Sequence, residues 1–328
     1  MFFKKKKKSA NGAGDLTIFF ASDLHGSQVC FKKFVNGAKF YGADVLVMGG
    51  DLTGKAVIPV AEQTDGTFLA FQHGKEVTLT GLEEVEDFNK RTGNMGFYPT
   101  IVTEAEYQDL SADPDAQHEL FKKLVVDRVQ EWADYAAEKL AGTDIPLITA
   151  PGNDDFFEID PVLNDAPHVA YHEMEVTEIK GYQMLHCGGS NKTPWDTERE
   201  YSEEQYTQRL AELVAQVGDM RRCIFNVHVP PHGTVLDACP KLDDELKVVF
   251  EMGNPVQMHA GSTALLDSIK EHQPLLGLHG HIHEGRGNIK IGETVCVNPG
   301  SVYPEGILQG VLIKIRGGEI KGVQLTQG

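Results

Sequence analysis

One pattern recurs along the 328 residues and limits what the chain can fold into. Short apolar, β-branched runs break again and again into polar, glycine-rich ends. Residues 16–22 lead into DLHG, 45–48 into GGDLTG, 146–150 into PGNDD, 182–186 into CGGS and 223–227 into HVPPHG. Further on, 275–278 lead into HGHIHE and 295–297 into NPGS. Runs of this length and apolarity suit strands buried on both faces, with their polar loops gathered at one edge of a sheet.

Helices fall between these strands. The strongest is expected over 114–141, where Asp113 can cap the first turn, Pro114 suits its opening and Gly142 suits its stop. Phe121, Leu124, Val125, Val129, Trp132, Ala133, Ala136 and Leu140 recur there at helical spacing. Weaker helices are expected over 203–220 and 262–272. After Gly306 the chain turns β-rich, and Gly317-Gly318 separates two alternating segments, as in a hairpin. Strands interleaved with helices and ending β-rich predict an α/β layered sandwich.

One stretch breaks the rhythm. Residues 55–112 read as an insertion: a hairpin over 67–80 turning at His73-Gly74, then a short acidic helix and turn in LEEVEDFNKRTGNMG. Loops carry specificity on a constant scaffold, so a lid or rim over the site is expected, with a dimer surface as the alternative. Ahead of the domain at 15–328 stands MFFKKKKKSANGAG. Its lysines precede an apolar run too short for a signal sequence, which predicts a disordered basic tail over 1–14 on a cytoplasmic domain. No apolar run approaches the roughly 18 residues of a membrane span.

Composition narrows the partners. A formal net charge of −18 sets the long-range field against polyanions, so duplex nucleic acid is not expected. Small phosphorylated substrates stay open, because bound metal inverts a local field. Cys30, Cys187, Cys223, Cys239 and Cys296 are scattered and form no CxxC, which argues against disulfides and zinc ribbons.

The strand ends collect metal-ligand chemistry: Asp23 and His25, then Asp51, Asn153 and Asp154, His228, and finally His281 and His283. Each motif alone is weak, since an Asp after a strand often serves only a turn. Their order, each at the end of an apolar strand, is the signal. Sites in open α/β sheets form beyond the carboxyl ends of strands, where such residues converge. Carboxylates, imidazoles and an amide carbonyl suit Mn2+, Fe2+ or Zn2+. So many ligands exceed one ion's needs and predict two divalent ions about 3.5–4 Å apart. His279 completes a run of alternating histidines with His281 and His283. Gly280 permits a tight turn there, so the strand is expected to end near Leu278 and His279 to stand behind the ligands.

The order D-x-H, GD, GN-x-D, H, GH-x-H resembles the calcineurin-like metallophosphoesterase family, and NPGS at 298–301 is similar to the turn after GH-x-H in its bacterial and archaeal predicted-phosphoesterase branch. The resemblance covers 15–328 apart from the insertion. It implies a four-layer α/β/β/α sandwich carrying an inserted hairpin-helix subdomain. It also implies two metal ions, Mn2+ first with Fe or Zn2+ as alternatives. Asp23, His25 and His283 would hold one ion, Asn153, His228 and His281 the other, and Asp51 would bridge them. A metal-bridging hydroxide would then attack phosphorus in a small phosphorylated substrate.

Asn153, His228 and Asp154 are the candidate catalytic residues. Asp154 departs from the pattern, because many members carry there a histidine that protonates the leaving group. An ionised carboxylate repels a phosphate, so diesters or esters with good leaving groups are expected to be favoured. His232 and His259, flanking a loop over 230–261, are further candidates to reach a leaving group. An inactive scaffold on the same fold, and a nuclease, are the competing readings; a homo-oligomer is left open.

Overall fold

The computed structural model describes residues 14–72 and 74–328. The expected basic tail, except Gly14, and the turn residue His73 lie outside them. Two six-stranded sheets carry the molecule. In the first, the strands run in the order Glu319–Gln327, Gln309–Arg316, Leu16–Ala21, Val45–Met48, Leu147–Thr149 and Val169–Tyr171. In the second the order is Gly287–Ile291, Thr294–Asn298, Leu276–Leu278, Cys223–Val227, Tyr182–Cys187 and Glu175–Ile179.

The central strands of both sheets run parallel, with Ile18 opposite Val45, Leu46 opposite Leu147, Gln183 opposite Cys223 and Ile224 opposite Leu276. Their carboxyl ends therefore share an edge within each sheet. The last two strands form the expected hairpin around Gly317-Gly318.

Period-two geometry sorts the side chains of each strand into two faces. Leu16, Ile18, Phe20, Val45 and Val47 pack with Tyr182, Met184, Ile224, Leu276 and Leu278, joining the sheets face to face. Phe19, Ala21, Leu46 and Met48 point the other way, against Phe34 and Val35 of the Gln28–Tyr41 helix and Val129 and Trp132 of the Pro114–Leu140 helix. On the far side, Leu185, Cys187 and Phe225 pack with Tyr206 and Leu210 of the Glu203–Val214 helix and Leu265 and Ile269 of the Thr263–His272 helix. Helix, sheet, sheet and helix thus follow one another as predicted.

The Pro114–Leu140 helix opens as its sequence requires: an Asp113 side-chain oxygen accepts from the N–H groups of Asp115 and Ala116 at 3.0 and 3.2 Å. The helix expected to reach residue 220 ends at Val214, and a 3-10 turn follows at Met220–Arg222. Gly218 intervenes, and its N–H is taken by the Gln183 side chain at 2.7 Å instead of a helical carbonyl. Every described cysteine is a free thiol, and all but Cys239 are buried.

The insertion holds more than a hairpin and a helix. Strands Lys75–Thr80, Thr67–Gln72, Val57–Glu62 and Tyr98–Thr103 form a separate four-stranded sheet, covered by the Gly81–Asn94 helix. Ile58, Val60, Phe68, Ala70, Leu79, Val85 and Phe88 give it a small core of its own. A further helix, Glu104–Ala112, begins at a Thr103–Glu106 capping box and packs on the Pro114–Leu140 helix. Pro59 and Pro99 stand inside the short runs 57–62 and 98–103, and a proline weakens the reading of such a run as a strand. No helix among the described residues is long and apolar enough to cross a membrane.

Candidate metal centre

The ligand-type residues of the strand ends converge. Three groups among the described residues bring donor atoms within 4.8 Å of one another: Asp23, His25 and His283; Asp51, His228 and His281; and His25, Asp51 and Asp154. The first holds the three residues that the sequence resemblance assigned to one ion, and the second holds His228 and His281, two of those assigned to the other, together with Asp51. Asp51 belongs to one group with His228 and to another with His25, so its carboxylate stands between the two halves. Asn153 joins the second half, its Oδ1 lying 3.2 Å from His228 Nε2.

Backbone strain is concentrated here. Asp23, His25, Asp51 and His281 have φ of 57°, 42°, 49° and 65°, a left-handed region that costs non-glycine residues about 1–3 kcal/mol each. Short loop–loop hydrogen bonds hold them in it. Asp23 N donates to Gly50 O, and His25 N to Asp51 O, both at 3.0 Å. His281 N donates to the Asp23 carboxylate at 2.9 Å. Gly280 serves by its bareness, because a Cβ on it would lie 2.3 Å from Asp23 Oδ2.

The imidazoles are oriented from behind. His228 Nδ1 donates to Gly49 O at 2.8 Å, and His25 Nδ1 to Thr53 O at 3.2 Å. In each ring the second nitrogen then presents a lone pair to the cluster. His25 Nε2 faces His283 Nε2 at 3.0 Å and lies 3.6 Å from Asp51 Oδ2. His279 is wholly buried at the end of its strand with Nδ1 on Val227 O at 2.9 Å, and burial drives its pKa down to about 4. It stands behind the cluster.

This donor set fits divalent cations. Burial raises Asp51 to about 6; burial opposes charge on His228 too, but the Asp51 carboxylate outweighs it and lifts the imidazole to about 10. Burial lowers His281 to about 3, leaving it neutral. Three carboxylates and four imidazoles packed so closely satisfy one another only by sharing protons, and a cation that met their converging lone pairs would take the protons' place.

Several contributors escaped the sequence reading. Asp155, wholly buried, accepts from Gly152 N, Thr53 N, Leu52 N and Thr53 Oγ1 at 2.8–3.2 Å, clamping the GGDLTG loop to PGNDD. Ser301 Oγ donates to Asp23 O at 2.6 Å, which gives the NPGS turn a task at the site. Tyr303 lays its ring 4.9 Å from that of His25. Lys55 Nζ lies 2.7 Å from Asp154 Oδ2. Burial works to raise Asp154, but His25 and Lys55 outweigh it and hold the carboxyl below its usual range. GNDD and GDLTGK sit about a hundred residues apart, so the GN-x-D pattern contained Asp155 without showing that it clamps the two loops, and nothing flagged Lys55. His232 and His259 turn instead toward the buried Asp237, at 3.7 and 2.8 Å.

Comparison with known proteins meets this geometry. No family model matches the chain. An uncharacterized protein, MJ1162 of Methanocaldococcus jannaschii, is 29% identical over 177 residues, 53% of this chain and 69% of its own. The crystal structure of TT1561 of Thermus thermophilus aligns over 96% of this chain and 98% of its own, at TM-score 0.53 and 17% identity. A second crystal structure aligns over 95% and 99%, at TM-score 0.58 and 16% identity. At such identities the likeness is one of fold. The chain shares the fold of these two structures. On that fold the edge where strands from both sheets end carries the histidine and carboxylate cluster described above.

Proposed function

We propose that the protein is a dinuclear-metal phosphoester hydrolase. The observation that carries this reading is the convergence of Asp23, His25 and His283 with Asp51, His228 and His281 around one shared carboxylate. Asp23, His25 and His283 would hold one ion, Asn153, His228 and His281 the other, with Asp51 serving both. Two such ions supply Lewis acidity toward the phosphoryl oxygens and a lowered pKa for water. The chain's own residues hold that machinery still. Gly49 O and Thr53 O fix the two imidazole tautomers, and the Asp155 clamp keeps Asp51 and Asn153 in register.

In the reaction an oxygen from water joins phosphorus, the ester P–O bond breaks, and the alcohol leaves with a proton. Asp154 does not supply that proton in this reading, because the Lys55 ammonium at 2.7 Å holds it ionised. Esters that leave without help, diesters and aryl esters, are therefore favoured over alkyl monoesters.

The test is a paired assay. Protein loaded with Mn2+ is given an aryl phosphomonoester, an aryl phosphodiester and an alkyl monoester, with metal content measured alongside. About two ions per chain and turnover of the aryl substrates are expected. No bound metal together with no turnover of any ester would refute the reading.

A further inference from the structure

We infer that the substrate carries a bulky organic group, which lies in a cavity between the insertion and the Pro114–Leu140 helix with its apolar part against Val57, Leu110 and Phe121, and that Lys55 marks the junction of that cavity with the phosphate position. This rests on the hydrolase reading above and names its substrate class.

The cavity measures about 480 Å3; Val57 and Pro59 of the insertion sheet, Leu110 of the Glu104–Ala112 helix and Phe121 of the longer helix give it apolar wall, and Gln117 and His118 are among the side chains that give it polar wall. Lys55 is also part of its wall. The same Lys55 ammonium lies 2.7 Å from Asp154, whose other contacts include His25 Nδ1 at 3.7 Å, Asn153 Nδ2 at 3.1 Å and, through its backbone N–H, Asp51 at 3.0 Å. One residue thus separates the cavity mouth from the ligand cluster.

Size and lining set the occupant. A phosphate alone needs no such room, whereas clefts of about 300–1,000 Å3 are typical of small organic ligands, and this one offers an apolar side at Val57, Leu110 and Phe121 and a polar side at Gln117 and His118. Isoleucine-sized to bicyclic aromatic groups fit. A nucleic acid strand would need a long basic groove, and here the cation at the mouth is already paired with a carboxylate. That pairing also has a consequence for the phosphate: Lys55 offsets the charge that Asp154 would otherwise turn against it. Two sequence segments with no common motif, GDLTGK and the insertion's last helix, meet in this one place.

The test uses Mn2+-loaded full-length protein and two phosphonates that cannot be hydrolysed, 1-naphthylphosphonate and methylphosphonate, with affinities measured by calorimetry. The wild type is expected to bind the naphthyl compound at least about tenfold tighter, as burial of an aromatic ring against Val57, Leu110 and Phe121 requires. Leu110→Trp, which fills the cavity, should bring the two within about threefold. Ser111→Trp, at an exposed position on the same rim, provides a second filling variant should the first fold poorly. Lys55→Gln should weaken both phosphonates by about tenfold and leave their ratio standing, with Lys55→Arg restoring affinity. Equal affinities in the wild type, or a ratio that survives both tryptophans in folded protein, would overturn the cavity assignment; unchanged affinity in Lys55→Gln would overturn the role of Lys55. Turnover of 1-naphthyl phosphate is followed beside binding. A ratio without turnover counts against the hydrolase reading, and turnover without a ratio counts against the cavity.

Discussion

Asp51 is the residue on which the two halves of the cluster depend. It lies 3.6 Å from His25 Nε2 and 3.4 Å from His228 Nε2, and it accepts from Asp154 N at 3.0 Å. Asp51→Asn keeps the shape and removes the charge. Occupancy of both metal sites is then expected to fall together, by about tenfold or more each, as read by titration of Mn2+ into the metal-free protein. Loss of one ion with the other retained would contradict the shared role. The position was legible from GGD at a strand end. Its left-handed backbone and its hydrogen bond from Asp154 were not, since φ at an aspartate follows from what surrounds it.

Among the elements, the Gln28–Tyr41 helix shows how closely this scaffold is packed. A Cβ built on Gly37 would stand 2.4 Å from Phe19 Cε1, so the glycine lets the helix settle on the first sheet. Gly37→Ala gains about 1 kcal/mol of helix propensity and costs about 1–3 kcal/mol of overpacking against a buried ring. A net loss of up to about 2 kcal/mol is expected, seen as a lower urea midpoint. A midpoint at or above that of the wild type would mean that Phe19 gives way. Strands with strong apolar runs and the helix with a cap and a stop were readable from sequence, because their signals are local. The insertion sheet was only half read: its hairpin is local, but the parallel pairing of Val57 with Tyr98 joins segments about forty residues apart.

Across the whole molecule, acid is expected to unfold the protein partly through groups far from the metal ligands' roles. His186 is wholly buried in the second sheet, with Nε2–H donating to Thr177 Oγ1 at 2.9 Å and Nδ1 accepting from Asn226 Nδ2 at 3.1 Å. The bond from Asn226 requires the neutral ring, because a protonated Nδ1 has no lone pair to accept it. Burial, with His172 adding to it, lowers the pKa to about 3, against about 6.5 in the unfolded chain. Below about pH 6.5 the unfolded chain takes up a proton that the folded one refuses. The stability due to the neutral ring is thus complete above that pH and is lost as pH falls toward 3. Urea midpoints of metal-free protein should drop between pH 7.5 and 5, and His186→Gln should flatten the slope. An unchanged slope would assign the acid sensitivity elsewhere. Nothing in the residues around His186 marked it in the sequence, because its burial and its two partners come from neighbouring strands.

By itself the sequence determined the parallel scaffold, the order of the ligand-type residues and the edge at which they gather. Those follow from apolar periodicity and from polar residues placed at strand ends, and both are short-range properties. The tertiary structure alone decided the rest: that Asp155 clamps two loops, that Lys55 neutralises Asp154, that Tyr303 covers His25, and that the insertion walls a cavity beside them. Each depends on the approach of segments distant in the chain, and such approaches are set by the packing of two sheets on one another, which no single stretch of residues encodes.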